Sequence, residues 1–389
     1  MTTTQSTPTA QFALTPEQEA IQQLAVQFGE ERIAPYALEW DQQRHFPVDV
    51  FKSSAPLGLG GVCVAEDVGG SNLNRLDAVL IYDGLSRACP SIAAYFTVHN
   101  MVGLVLDRFG TPEQRKRFLP SLCQFDRLGA YCLSEPACGS DASALTTRAV
   151  RQGNSYILNG VKQFISGAGA ADLYIVWART SGKGSRGITA FLVEKDTPGL
   201  SFGPSEKKMG WNAQPTRQVI LQDVIVAAEN LLGEEGLGFR IAMSALDGGR
   251  LNIAACSLGG AKSAYNKALT YMREREAFGK PLTEFQALQF RIADMATSLE
   301  VSETFLWRAA SALDNQAANA ATLCAMAKRL VTDTGFEVAN QALQMLGGYG
   351  YLAEYGIEKL VRDLRVHQIL EGTNEIMRVI IARNCIAEK

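Results

Sequence analysis

Histidine is scarce in this sequence: three residues among 389, at positions 45, 99 and 367, well separated. A histidine-based metal centre is not expected, and each imidazole reads as structural or solvated. The eight cysteines, at 63, 89, 123, 132, 138, 256, 324 and 385, include no C-x-x-C pair. Neither a zinc site nor a disulfide framework is expected; reduced, mostly buried thiols in a reducing compartment are the default. No run of ~18 apolar residues exists, so no membrane span is expected. Lys and Arg number 37 against 40 Asp and Glu, a net charge of -3. The basic excess of a nucleic-acid binder is missing. The start, MTTTQSTPTA, lacks the basic and apolar regions of a secretory signal, and no arginine precedes Arg32. No targeting segment is expected. A cytoplasmic location is expected, or the mitochondrial matrix if the source is eukaryotic. There is no P-loop and no G-x-S-x-G elbow. Gly167-Ala168-Gly169-Ala170-Ala171-Asp172 begins like a dinucleotide fingerprint, but ends in Asp and runs into a strand pattern.

The rest is ordinary globular material, 47% hydrophobic and 20% charged, enough at ~150 residues per domain for two to three domains. No repeat is visible. Punctuation divides the chain into three blocks of α+β character. In residues 1–128, Thr15-Pro16-Glu17-Gln18 and Thr111-Pro112-Glu113-Gln114 read as capped helix starts. The first helix should stop at Ala34-Pro35 and the second at Leu119-Pro120. Ala78–Ser86 and Ser91–Phe109 read as buried helices. In residues 129–235 the period changes. Tyr156–Leu158 and Val161–Ser166 around Asn159-Gly160 suggest a type I′ hairpin. Leu173–Ala178, Ile188–Val193 and Gln218–Leu221 follow as strands, which suggests a small barrel or sandwich. Residues 236–389 are helical again. Leu251, Ala254, Ala255, Leu258 and Leu306, Ala309, Ala310, Leu313 keep helical spacing. Gly259-Gly260-Ala261 and Ala317–Ala321 read as small residues inside helices that let them approach closely.

Three stretches carry chemistry. The loop Tyr131-Cys132-Leu133-Ser134-Glu135-Pro136-Ala137-Cys138-Gly139-Ser140-Asp141 offers N–H groups and hydroxyls to a phosphate or ring edge; an ordinary turn is the other reading. Gln344-Met345-Leu346-Gly347-Gly348-Tyr349 closes a long helix. Its glycines allow close approach of a ligand and equally suit a helix C-cap. In His367–Glu375, Glu371 follows Ile369 and Leu370. Desolvated there, its carboxylate would rise in pKa and could act as a base; an acidic helix start beside Thr373 is the alternative.

YCLSEPACGSD, FIS, the R-x-x-F-G of Arg275 to Gly279, QMLGGYG, the R-D-x-R-x-x-x-I-x-E-G-T of Arg362 to Thr373 and IARN follow one another along the chain. With the helical, stranded, helical order, the chain resembles the acyl-CoA dehydrogenases over nearly its whole length. The resemblance implies an N-terminal α-helical domain, a middle β-barrel or sandwich domain and a C-terminal four-helix bundle. It implies FAD as cofactor and no metal. Tyr131, Leu133, Ser134, Gly139, Ser140, Phe164, Ile165 and Ser166 would line the flavin. Ser134 and Ser166 would bond its edge and Phe164 would cover a ring face. Arg275, Phe285, Gln286, Gln344, Met345, Leu346, Gly347 and Gly348 would hold the adenosine and pyrophosphate, some of them across subunits. Thr373, Asn374 and Glu375 would complete that site. Ser140, Asp247, Gly248, Gly249, Arg250, Gly372 and Arg383 would contact the acyl-CoA, and Glu371 would be the base. Some relatives carry their base just before the arginine matching Arg250; here that position is Gly249. Phe164 stands where many relatives have tryptophan, which keeps an aromatic face and loses a donor.

The resemblance thus implies α,β-dehydrogenation of a thioester. Glu371 would take the α-proton, flavin N5 the β-hydride, and electron-transfer flavoprotein the electrons, in a homotetramer. GWNAQPTR, ALDGGRLNIAACSLGGA and RVHQILEGTNEIMR point within the family to a short branched chain, isobutyryl-CoA going to methacrylyl-CoA. The rivals are another short- or branched-chain acyl-CoA dehydrogenase, an oxidase-like enzyme handing electrons to oxygen, and a non-enzymatic flavin-fold binding protein. The chain is short for the oxidase, and the intact Glu371-Gly372-Thr373 weighs against the last.

Overall fold

The computed structural model describes residues 13–387; the polar start read above lies outside them. Among the described residues six α-helices come first: α1 (Pro16–Arg32), α2 (Ala37–Gln43), α3 (Val48–Ser53), α4 (Arg75–Ala88), α5 (Pro90–Phe109) and α6 (Pro112–Cys123). Thr15, Asn74 and Thr111 each close a capping box with the residue three positions on, which fixes the starts of α1, α4 and α6. The break expected at Pro120 does not occur, and α6 runs on to Cys123. Only one turn remains to be made there, and the burial of Leu119, Leu122 and Cys123 outweighs one lost backbone bond. Helix α5 is buried along most of its length and forms the wall on which the sheet rests.

The sheet has eight strands: β1 (Gly129–Cys132), β2 (Arg148–Gln152), β3 (Ser155–Ser166), β4 (Leu173–Arg179), β5 (Ile188–Glu194), β6 (Leu200–Phe202), β7 (Thr216–Ala227) and β8 (Leu231–Leu232). Their order is β6-β7-β3-β2-β4-β5-β8, with β1 parallel to β4. The apolar runs of β4 and β5 are covered on both faces. Tyr174, Val176 and Phe191 join the main core, while Ile175, Trp177 and Leu192 pack with Val102 and Phe118 of the first helices. Asn159-Gly160 is not a hairpin turn. Strand β3 passes through it and pairs with β7 on both sides, with a register shift between Leu158 and Gly160. Gly160 has φ 154°, and a Cβ there would overlap Thr147, so the glycine marks a bulge against a close neighbour. The reversal comes earlier, at Gly153-Asn154, between the paired Gln152 and Ser155.

The last part is a bundle of α7 (Gly238–Glu274), α8 (Gln286–Asp314) and α9 (Ala320–Leu346), joined by α10 (Ile357–Arg365) and α11 (Asn374–Ala387). A two-residue hairpin, β9 (Glu276–Ala277) and β10 (Lys280–Pro281), links α7 to α8. Gly259 and Gly260 are the crossing point of α7. A Cβ on Gly259 would overlap the Asp83 carbonyl of α4, and one on Gly260 would come within 2.8 Å of Pro90. Ala317–Asn319 play no such part: residues 315–319 turn from α8 into α9, and of Ala317–Ala321 only Ala320 and Ala321 enter a helix.

Candidate active site

Glu371 has φ 54° and Gly372 φ 90°. Two left-handed residues in succession delay the helix, and α11 starts only at Asn374. The helix-start role falls to its neighbours: Thr373 Oγ1 accepts from the Ile376 N–H at 3.3 Å, and Glu375 occupies the first turn. The Glu371 side chain turns inward, and its Oε2 is buried without a hydrogen-bond partner. It lies over α7 at Gly249. A Cβ on Gly249 would overlap Oε2 and stand 3.1 Å from Cδ and 3.2 Å from Met101 Sδ. Burial pushes the Glu371 carboxyl up to about 7, against the opposing pull of Lys328, Arg250 and Arg75. A dry carboxylate with a free oxygen, titrating near neutrality, is suited to take a proton from a weak carbon acid.

Helix α7 supplies the floor. Arg250 is buried and donates from Nη1 to Asp247 Oδ1 at 2.6 Å, while its Nε has no partner. Gly248 leaves room for the Arg75 guanidinium, 2.8 Å from where a Cβ would stand. Arg75 in turn donates to Asn252 Oδ1 at 2.9 Å. Tyr131, on β1, donates its hydroxyl to the Ala242 carbonyl at 3.1 Å and packs on Trp177. Burial raises its pKa, as does the neighbouring Glu371.

The loop after β1 is held to β3 by a buried ion pair. Glu135 meets Lys162 Nζ at 2.8 Å and accepts from Thr146 N, Thr146 Oγ1 and Thr147 N at 2.6, 2.8 and 3.0 Å. Burial works against the Glu135 charge, but Lys162 and these donors hold its carboxyl down at about 2. Lys162 also donates to the Leu133 carbonyl, and Gln163 N to that of Ser134 at 2.9 Å. Ser134 is half-buried, Gly139 and Ser140 are exposed, and Leu133 is buried. Phe164 is 67% exposed at φ 60°, a large apolar face left open beside buried Ile165 and half-buried Ser166. Tyr131, the 131–140 loop, residues 164–166, Asp247–Arg250 and Glu371 thus form one region.

Arg275, Phe285, Gln286 and Gln344–Gly348 form a second region. Arg275 ends α7 and lies 5.8 Å over the Tyr349 ring. Phe278, 96% exposed, tips the β9–β10 hairpin with Gly279, and Phe285 sits 6.1 Å from it. Gln286 and Gln344 are exposed, and Gly347 and Gly348 face open space. Met345 and Leu346 have their side chains in the core. Gly249 and Arg275 are separated by some 26 residues of α7, roughly 39 Å at 1.5 Å per residue. One chain therefore does not bring the two regions together. Arg383 is exposed on α11.

The sequence reading passed over Lys162, Lys328, Met101 and Arg75. Lys328 had a signal: it sits at helical spacing with Cys324, Ala327 and Val331, a charge inside an apolar stripe, and it is fully buried. His367 and His99 are structural. Trp211 Nε1 donates to His367 Nε2 at 3.2 Å, and His367 Nδ1 meets Ser257 Oγ at 2.7 Å. Burial pushes His367 down to about 3 and His99 to about 4, so neither is protonated at neutral pH. Among the described residues no three His, Cys, Asp or Glu side chains converge as metal ligands, and no helix is long and apolar enough to cross a membrane.

Comparison with known proteins agrees with this architecture. The family models for the N-terminal, middle and C-terminal domains of acyl-CoA dehydrogenase match residues 15–126, 130–224 and 236–386. The chain is 51% identical over 377 residues to the mitochondrial isobutyryl-CoA dehydrogenase of Bos taurus, covering 97% of this chain and 91% of that protein. The corresponding protein of Dictyostelium discoideum is 50% identical over the same shares. The solved butyryl-CoA dehydrogenase of Megasphaera elsdenii superposes with a TM-score of 0.94 at 38% identity, covering 97% of this chain and 100% of that one. Fold and likeness together define an oxidoreductase of the dehydrogenase class. The chain belongs to the acyl-CoA dehydrogenase family, a family of flavoproteins.

Proposed function

We propose that this protein is an FAD-dependent dehydrogenase of a short branched acyl-CoA, converting isobutyryl-CoA to methacrylyl-CoA in valine breakdown and passing the electrons to electron-transfer flavoprotein. The observation that carries the chemistry is the buried, partnerless Glu371 Oε2 over Gly249. Glu371 takes the α-proton of the thioester. Its own N–H, in the left-handed backbone before Gly372, donates to the thioester carbonyl and stabilises the charge that develops there, worth about 3 kcal/mol for such a donor. Arg250 and Asp247 hold the CoA end, with Ser140 and Arg383 further out, and Gly248, Gly249 and Gly372 leave it room.

The residues present fit a flavin. Phe164 is an unexplained open aromatic face, Gly139, Gly347 and Gly348 leave space where a side chain would intrude, and Phe278 stands almost fully exposed beside Arg275. FAD, when bound, supplies the two-electron acceptor for the β-hydride. Ser134 and Ser166 would hydrogen-bond its ring edge and Phe164 would cover a face, with Tyr131, Leu133 and Ile165 lining the same side. Thr373, Asn374 and Glu375 close that side. Arg275, Phe285, Gln286 and Gln344–Gly348 gather around the far end of α7, the start of α8 and the end of α9, too far from Glu371 to serve the same copy's flavin. They support a homotetramer in which one protomer completes the cofactor site of the next.

The test is anaerobic mixing of the yellow protein with isobutyryl-, butyryl-, 2-methylbutyryl-, isovaleryl- and octanoyl-CoA. Isobutyryl-CoA should bleach the flavin fastest. The margin over its neighbours is expected to be modest, because one methylene moves selectivity by only ~1–3 kcal/mol. A preference for octanoyl-CoA would overturn the substrate, and peroxide release at the turnover rate would overturn the acceptor.

A further inference from the structure

Lys328 lies on α9 with no exposed surface, in a stripe otherwise made of Cys324, Ala327 and Val331. Its Nζ donates to the Gly372 carbonyl and to Asn374 Oδ1, both at 2.8 Å. Asn374 passes the contact on, donating to Thr332 Oγ1 at 3.0 Å and to Asp333 Oδ1 at 2.7 Å. Gln368 Nε2 reaches the same Asp333 oxygen at 2.8 Å. The segment 368–374 is therefore fastened to α9 at both ends, and the residue between them in the least comfortable backbone conformation is Glu371.

Burying an ammonium is costly unless its partners are good. An unbranched apolar side chain would fill the same stripe without that cost. What gives the charge a reason to be there is the set opposite it: a carbonyl, an amide and a carboxylate. We propose that Lys328 is a positioning residue for Glu371: it grips the carbonyl that follows the base and brings a positive charge near the carboxylate, so that the base is aimed and its charge is opposed by a neighbouring cation. This rests on the reading of Glu371 as the base.

The groups facing Glu371 are Lys328 from α9, Arg250 from α7 and Arg75 from the start of α4, with Tyr131 of β1 and Cys256 of α7 also within reach of its charge. Lys328 is the largest of the three opposing charges. Burial lowers its own pKa to about 8, with Glu371 pulling the other way, so at pH 7 it remains mostly protonated. Removing that charge disfavours the carboxylate and raises its pKa. The ionised fraction at pH 7 falls, and the rise of activity with pH moves to higher pH.

Three FAD-loaded variants separate grip from charge: Lys328→Met, Lys328→Gln and Lys328→Arg. Two readouts are taken across pH: flavin reduction by isobutyryl-CoA, and the Glu371 carboxyl band by infrared difference against Glu371→Gln. In Lys328→Met both should move up by on the order of one pH unit, with kcat at pH 7 lowered several-fold and KM nearly unchanged. Lys328→Gln should show the same shift with a smaller loss at high pH, since it still donates to the Gly372 carbonyl. Lys328→Arg should titrate near wild type. A Met or Gln variant whose carboxyl band and rate profile stay in place overturns the proposal, as does an Arg variant shifted as far as Met. Loss of fold in all three makes Lys328 structural only and overturns it equally. If Glu371→Gln itself reduces flavin quickly, the base reading fails, yet the infrared titration still reports the pairing with Lys328.

Discussion

The fate of one carboxylate turns on a missing methyl group. Glu371 fits over α7 because position 249 is glycine. In Gly249→Ala the helix itself gains, since alanine is favoured over glycine in a helix interior by roughly 0.5–1 kcal/mol. The added methyl meets the free end of a flexible side chain, which can swing away. Thermal stability should stay within a few degrees of wild type while flavin reduction drops about 10²-fold, the usual penalty for a reacting group displaced by an ångström. A variant that melts normally and reduces its flavin at the wild-type rate would show that the carboxylate does not work in that position. Glu371→Gln keeps shape and N–H but cannot accept the proton. Acyl-CoA should still bind, and reduction should fall by ~10²–10⁴-fold or more. Wild-type reduction should rise with pH through about 7, because only the ionised base acts and its pKa is raised there by burial; the variant should lack that limb. Residual reduction within about tenfold of wild type would place the base elsewhere. Glu371 was legible from two apolar neighbours and a following glycine. Lys328 left a local trace, a charge inside the apolar stripe of α9, but neither its partner nor the parts of Arg75 and Met101 could be read, because those contacts come from other helices and depend on packing that no local window contains.

At the scale of elements, capping chemistry and hydrophobic period were reliable, while glycine was reliable inside α7 and misleading inside β3. Thr15 and Thr111 open helices as their side chains require, and the unbroken apolar runs of β4 and β5 are the strands covered on both faces. Asn159-Gly160 misled because a glycine inside a strand serves either a turn or a close neighbour, and the neighbour, Thr147, is 13 positions away in the chain. A related turn does occur at Phe278-Gly279, where two left-handed residues join β9 to β10. Gly259 on α7 allows a test of helix spacing. A Cβ there would overlap the Asp83 carbonyl and approach Ser86 Cβ at 2.9 Å. Neither is a flexible tip, so Gly259→Ala must push α4 from α7. A loss of about 1–3 kcal/mol is expected, as for an overpacked core, read as a lower denaturation midpoint with the Glu371 pH profile unchanged. An unaltered midpoint would mean the crossing is looser than its geometry implies.

At the scale of the whole molecule, the proposed sharing of the cofactor between copies is the part to test. Glu371 and Phe164 belong to one region and Arg275, Phe285 and Gly347-Gly348 to another, held apart by the length of α7 between Gly249 and Arg275. If each cofactor is held between copies, a defect in one region and a defect in the other need not harm the same site. In a mixed pair of Glu371→Gln and Arg275→Ala protomers, one site receives the glutamine from the first and the alanine from the second, and is doubly damaged. The other site receives Glu371 from the second protomer and Arg275 from the first, and is whole. Random reassociation gives mixed pairs in about half of cases, so about a quarter of all sites should recover wild-type behaviour by this isologous arithmetic. The two parent proteins should each be nearly inactive at limiting FAD, and activity should appear on denaturation and joint refolding, or on co-expression. Co-assembled protein no more active than the average of its parents would place Arg275 in the same copy's site, or outside the site altogether. Light scattering fixes the context: the mixture should run as a tetramer of 42.1 kDa protomers, and a monodisperse monomer carrying FAD would remove the basis for sharing.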